Sequence, residues 1–130
     1  MNKILIIDDD PTIQNVFGQF LRGAGYEVLS AENGKVGMKI MQENRPDLII
    51  TDILMPEMDG LEILLQIRNE HDNMPIIAIS GGMRALPINF LRQAKLFGAC
   101  HVFEKPVPLN VLLEAIQTIL PNLPTIATAL

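Results

Sequence analysis

The sequence predicts an α/β fold in which helices cover both faces of a parallel sheet. Three observations predict it. Ile4–Ile7, Leu48–Ile50 and Ile76–Ile79 are short apolar runs rich in β-branched residues and bounded by polar residues, Gly or Pro. Strands buried on both faces have that composition. Between the runs, apolar residues recur at three- and four-residue spacing, the mark of amphipathic helices. Strand and helix alternate five times, and such alternation builds a parallel sheet through crossover helices.

Each element has its own signals. After Ile4–Ile7, residues Ile13, Val16, Phe17, Phe20, Leu21 and Ala24 line one helical face. Asp10 suits the N-cap, Pro11 the first helical position and Gly25 the stop. Val28–Leu29 is short and mixed, as strands at a sheet edge are. The second helix follows Asn33-Gly34 with Val36, Ile40 and Met41 on one face; Gly37 weakens it and Pro46 limits it. The third follows Asp59-Gly60 and repeats Leu61, Leu64 and Leu65. The fourth starts near Pro87 and carries Ile88, Leu91 and Ala94–Lys95 before Gly98. Val102–Phe103 makes the second edge strand. The fifth helix starts at Pro108 and aligns Leu109, Leu112, Leu113, Ile116 and Leu120. The tail "PNLPTIATAL" holds two prolines and no charge, and is expected to be a flexible end (121–130) after one domain (1–120). Docking of Ile126 and Leu130 on an apolar groove is the alternative.

Composition removes several functional classes. The 130 residues suit a single core, and 48% apolar against 19% charged is a globular balance. A net charge of −5 with scattered Lys and Arg leaves no basic stripe to bind nucleic acid directly. No apolar run approaches a membrane span, so no membrane insertion is expected. The single cysteine, Cys100, forms no internal disulfide and fits a reducing cytoplasm. Beside Ala99 it is expected to be a small buried residue. His71 and His101 are expected at the surface or a sheet edge, and Met58 in packing.

Functional groups in open parallel sheets collect beyond the carboxyl ends of the strands. Those places hold Asp8, Asp9, Asp52, Ser80 and Lys105. Singly, each has an ordinary explanation: a cap, a turn residue, a lysine before proline. Together they would share one rim. Like charges there repel by roughly 4 kcal/mol per pair at 4 Å and an effective dielectric of about 20. Mg²⁺, which binds few protein oxygens and keeps several waters, offsets such repulsion. An Asp carboxylate beside that ion is a nucleophile toward phosphorus, and a lysine and a serine can hold the phosphoryl oxygens.

The segments "ILIIDDDP", "PDLIITDILMPEMDGLEIL", "PIIAISGG" and "FEKPV" carry a family resemblance. Along residues 2–120 the chain resembles the receiver domain of a bacterial two-component response regulator, of the single-domain, chemotaxis-receiver-like kind. The resemblance implies a doubly wound (βα)5 flavodoxin-like three-layer sandwich with strand order 2-1-3-4-5. It implies that Asp52 is the phosphoacceptor, and that Asp9, Asp52 and the Leu54 backbone carbonyl hold Mg²⁺, with Asp8 acting through water. Ser80 and Lys105 become the phosphoryl-binding and switch residues, and Pro106 follows a cis bond. The partners implied are a histidine kinase or phosphotransfer protein and a downstream protein acting in trans. Output would pass through the surface of the fourth helix, fifth strand and fifth helix.

Two departures concern output. The family's switch aromatic is replaced by Val102, while Phe103 is expected on the opposite strand face. The segment "GGMRALPINF" is unusually apolar for the start of the fourth helix. Three other readings compete. A Mg²⁺-dependent phosphatase with an aspartyl nucleophile would need an acid/base at Leu54, which cannot move a proton. A flavin site would need a phosphate cradle where Asp8–Asp10 stand. A receiver-shaped interaction module working without phosphorylation remains the third. The chain is therefore expected to be a switch and not a turnover enzyme.

Overall fold

Five strands form one parallel sheet: β1 (Lys3–Ile7), β2 (Glu27–Ala31), β3 (Leu48–Asp52), β4 (Ile76–Ser80) and β5 (His101–Glu104). The computed structural model describes residues 2–52, 60–70, 73–80 and 98–121, with 60–64 as backbone only. The sheet order is β2-β1-β3-β4-β5. Apolar content follows that order. The interior strands β1, β3 and β4 are buried along nearly their whole length, whereas edge strands β2 and β5 alternate or stay partly open.

Side chains alternate across the sheet and supply two cores. Ile4, Ile6, Leu48, Ile50, Ile77 and Ile79 face α1 (Pro11–Gly23) and the C-terminal helix (Leu109–Ile119). Leu5, Ile7, Ile49, Ile76 and Ala78 face α2 (Gly34–Asn44) and α3 (Gly60–Glu70). This is the doubly wound, flavodoxin-like three-layer arrangement.

Capping explains where the helices begin and end. The Asp10 side chain accepts from the Thr12 N–H at 2.9 Å, and Pro11 opens α1. The helix closes at Ala24, with Gly25 at φ 102° just beyond. Asn33 accepts from the Val36 N–H at 2.9 Å, and α2 closes on Arg45 in the left-handed region before Pro46. Pro108 is the N-cap of the C-terminal helix rather than its first residue, and it offers no side-chain bond.

Several expectations need correction. Helix α2 buries Gly34, Gly37, Met38 and Met41, while Val36 is 37% exposed. The reason is close approach: a Cβ on Gly37 would lie 2.5 Å from Ile7 Cδ1. Val16 and Leu65 are also exposed, and Ile67 is the buried residue among the described side chains of α3. Cys100 is exposed rather than buried; its N–H bonds Ile76 O at 2.7 Å as the chain enters the edge strand β5, where His101 is partly buried. The expected fourth helix, Leu54, Met58, His71 and most of the tail lie outside the described residues.

Candidate functional site

Because all five strands run the same way, their carboxyl ends make a single rim. Register places Ile7 beside Thr51, Asp52 beside Ile79, and Ser80 beside Glu104. Asp8 therefore emerges next to Asp52, and Lys105 emerges next to Ser80, whose carbonyl accepts the Lys105 N–H at 2.9 Å.

The rim concentrates charge in a buried setting. Asp8 and Asp52 are 2% and 4% exposed, and Ser80 is buried with them. Lys105 Nζ lies 3.1 Å from Asp8 Oδ2 and 3.1 Å from Asp52 Oδ2. Asp8 Oδ1 accepts the Asp10 N–H at 2.9 Å, so both oxygens of Asp8 are committed. Asp9 is exposed, and its side chain makes no hydrogen bond or ion pair among the described residues. Carboxylate oxygens of Asp8, Asp9 and Asp52 all lie within 4.8 Å of one another.

The rim thus gathers three carboxylates and one ammonium, which pairs with two of them. Burial raises the Asp8 pKa above its ordinary value; the Asp10 N–H opposes this, the Asp52 charge adds to it and Lys105 opposes it. Burial alone would lower the Lys105 pKa, but the charges of Asp52 and Asp8 and its bonds to both raise it overall. The cluster fits a hard divalent cation. Oxygens on one octahedral Mg²⁺ are about 3–4 Å apart, so small side-chain rotations suffice, and the exposed Asp9 is a ready ligand.

Other expected positions take ordinary roles. The Lys105–Pro106 peptide is cis. Val102 packs partly buried on the α2–α3 side, and Phe103 on the opposite core, stacked on the His101 ring at 5.9 Å.

Sequence reasoning missed Gln14. Its Nε2 donates to Ala31 O at 2.6 Å and Asp8 O at 2.9 Å, with Ile6 O at 3.4 Å. The signal was present: Gln14, Phe17, Gly18 and Leu21 share one helical stripe, the last three buried. An amide on an apolar stripe must find partners.

Known proteins share this architecture. Residues 4–117 match the family described as the response regulator receiver domain. The chain belongs to that family, whose members are signalling switches of two-component systems. It is 30% identical over 119 residues to sporulation initiation phosphotransferase F of Bacillus subtilis (strain 168), covering 92% of this chain and 94% of that protein. A response regulator receiver domain protein from Clostridium thermocellum is 32% identical with a TM-score of 0.85, covering 93% and 95% of the two chains. Chemotaxis protein CheY4 of Vibrio cholerae is 30% identical with a TM-score of 0.83, covering 92% and 98%. No helix among the described residues is long and apolar enough to cross a membrane.

Proposed function

We propose that this receiver is a phosphorylation switch of a cytoplasmic phosphorelay, with Asp52 as the phosphoacceptor. One observation carries the reading: a buried Asp52 carboxylate at the end of β3 lies among Asp8 and Asp9 and bonds Lys105 at 3.1 Å. A histidine kinase or phosphotransfer protein would present phosphohistidine. An Asp52 oxygen attacks phosphorus, the P–N bond breaks, and the imidazole leaves with its electron pair. Lys105 turns from the carboxylates to the phosphoryl oxygens, and the Ser80 hydroxyl donates to another. Asp9, Asp52 and the Leu54 carbonyl would hold Mg²⁺, with Asp8 acting through water. Bound there, the ion neutralises the charge that gathers on the transferred oxygens.

The transfer adds about −1.5 to −2 of charge at one buried point. Drawing Ser80 and Lys105 inward biases the surface of β5, the C-terminal helix and the segment between β4 and β5. A downstream protein reads that surface in trans. With Val102 in place of an aromatic, ring rotation at that position is not the reporter. Loss of the phosphoryl group to water resets the switch, so turnover of a substrate is not its task.

Acetyl phosphate with Mg²⁺ should load one phosphoryl group onto the wild type and none onto Asp52→Asn, read by intact-mass spectrometry. Stoichiometric labelling of Asp52→Asn would overturn the assignment. Failure of the wild type to take either acetyl phosphate or beryllofluoride would favour the phosphorylation-independent interaction module.

A further inference from the structure

We propose that Gln14 is a positioning residue that aims the cation ligand Asp9; this deepens the proposed function and rests on it. A single amide nitrogen ties α1 to the carboxyl ends of two strands. In the ladder, the Asp8 N–H already bonds Ala31 O at 3.0 Å. Gln14 Nε2 takes a second lone pair of that carbonyl and the carbonyl of Asp8. The Asp8 carbonyl belongs to the peptide joining Asp8 to Asp9. Holding it holds the plane of that peptide, and with it the direction in which Asp9 leaves the backbone.

On the other side of Asp9, the Asp10 N–H is held by Asp8 Oδ1 at 2.9 Å, so both peptides flanking Asp9 are fixed by hydrogen bonds. Among the described residues its side chain has no partner of its own. The Asp8 carboxylate is turned back onto the Asp10 N–H and Lys105. The approach of Asp9 to within 4.8 Å of the other carboxylates therefore rests on backbone direction.

The amide's bonds fasten α1 to the strand ends, but the amide also carries a cost. Gln14 Oε1 is buried without a hydrogen-bond partner among the described residues, a cost that Leu or Met on the Phe17–Leu21 stripe would avoid. The reverse orientation would set Oε1 against three carbonyl oxygens, so the donor orientation is the one the surroundings permit. A neutral donor also leaves the charge of the rim unchanged. Lys or Arg at this place would bring a positive charge to compete with the divalent ion, and Glu would face the carbonyls with an anion.

The test compares the full chain with Gln14→Met and Gln14→Leu, which keep bulk and cannot donate, and with Leu113→Ala, which lowers stability away from the rim. Mg²⁺ affinity is read by calorimetry, and acetyl phosphate labelling is followed against Mg²⁺ concentration. The Gln14 variants should bind Mg²⁺ about tenfold more weakly, a typical cost for losing an outer-shell partner. Their half-saturating Mg²⁺ should rise equally, with the rate at saturation nearly unchanged, and Leu113→Ala should match wild type. In the metal-free protein, the amide NMR shifts of Asp9 and Asp10 should move in the Gln14 variants alone. Unchanged affinity and unchanged Asp9 and Asp10 shifts in a folded Gln14 variant would overturn the proposal. If the wild type itself takes no Mg²⁺, the proposed function falls, and the metal-free shifts alone then decide whether Gln14 aims this loop.

Discussion

The two ends of the sheet use charge in opposite ways. At the amino ends of the strands, ionic groups meet backbone. Asp47 Oδ2 accepts the Lys3 N–H at 2.7 Å, and the Asp47 N–H returns a bond to Lys3 O at 2.8 Å. Arg68 ties Met74 O at 2.6 Å and Gly98 O at 3.1 Å, joining α3 to the approaches of β4 and β5. At the carboxyl ends, ionic groups meet one another: Asp8 and Asp52 share one ammonium, and Asp9 adds a third carboxylate beside them. Charge spent on the backbone fastens the fold. Charge left in excess calls for something from outside.

The largest expected effects separate the ends directly. Arg68→Ala should cost about 2 kcal/mol in urea unfolding, the scale of charge-assisted bonds to backbone carbonyls. Mg²⁺ at about 100 times its dissociation constant should add about 2.7 kcal/mol to the wild type. That increment should survive Arg68→Ala intact. If Mg²⁺ compensated specifically for the lost arginine, the division between the ends would fail.

A middle-sized effect concerns pH. Asp8 has a raised pKa, first because it is buried. Between the ordinary carboxylate value and that raised value, the folded chain holds more protons than the unfolded one. Stability of the metal-free protein should therefore rise on acidification from neutral pH into that window. Asp8→Asn should be more stable at neutral pH, by on the order of 1 kcal/mol, and should lack the rise. With Mg²⁺ the sign should reverse, because protons compete with the ion. Urea midpoints in chelator and in Mg²⁺ give both slopes.

The smallest effect tests an exception at the fastened end. Tyr26 is 2% exposed and its hydroxyl has no partner among the described residues. Tyr26→Phe should leave stability unchanged or raise it by about 1 kcal/mol. Burial raises the Tyr26 pKa, so the unfolded chain ionises first and wild-type stability should fall above pH 10. The phenylalanine variant should lack that fall. Tyr26 is the chain's single tyrosine, so phenolate absorbance follows it directly.

Strands and caps were legible because each rests on a local rule. Ile4–Ile7 had to be covered on both faces, and Asp10-Pro11 had to open a helix. The rim residues were legible through the four motif segments, since topology carries strand ends to one place. Contacts without hydrophobicity were not legible. Gly37 carries the packing face of α2 by having no side chain, so periodicity chose Val36 instead. Gln14 looked like one more polar helical residue, though its stripe is buried. Cys100 turned outward because its neighbours enter an edge strand, a property of sheet order and not of composition.

Strand order also sets when the rim becomes balanced. Asp8 and Asp9 leave the ribosome early and Asp52 midway, but the ammonium at position 105 arrives only with β5. Until then a growing chain holds its acidic groups without the ammonium that pairs with Asp8 and Asp52. Completion of the last strand is thus the step that brings an ammonium to the acidic edge of the nascent domain.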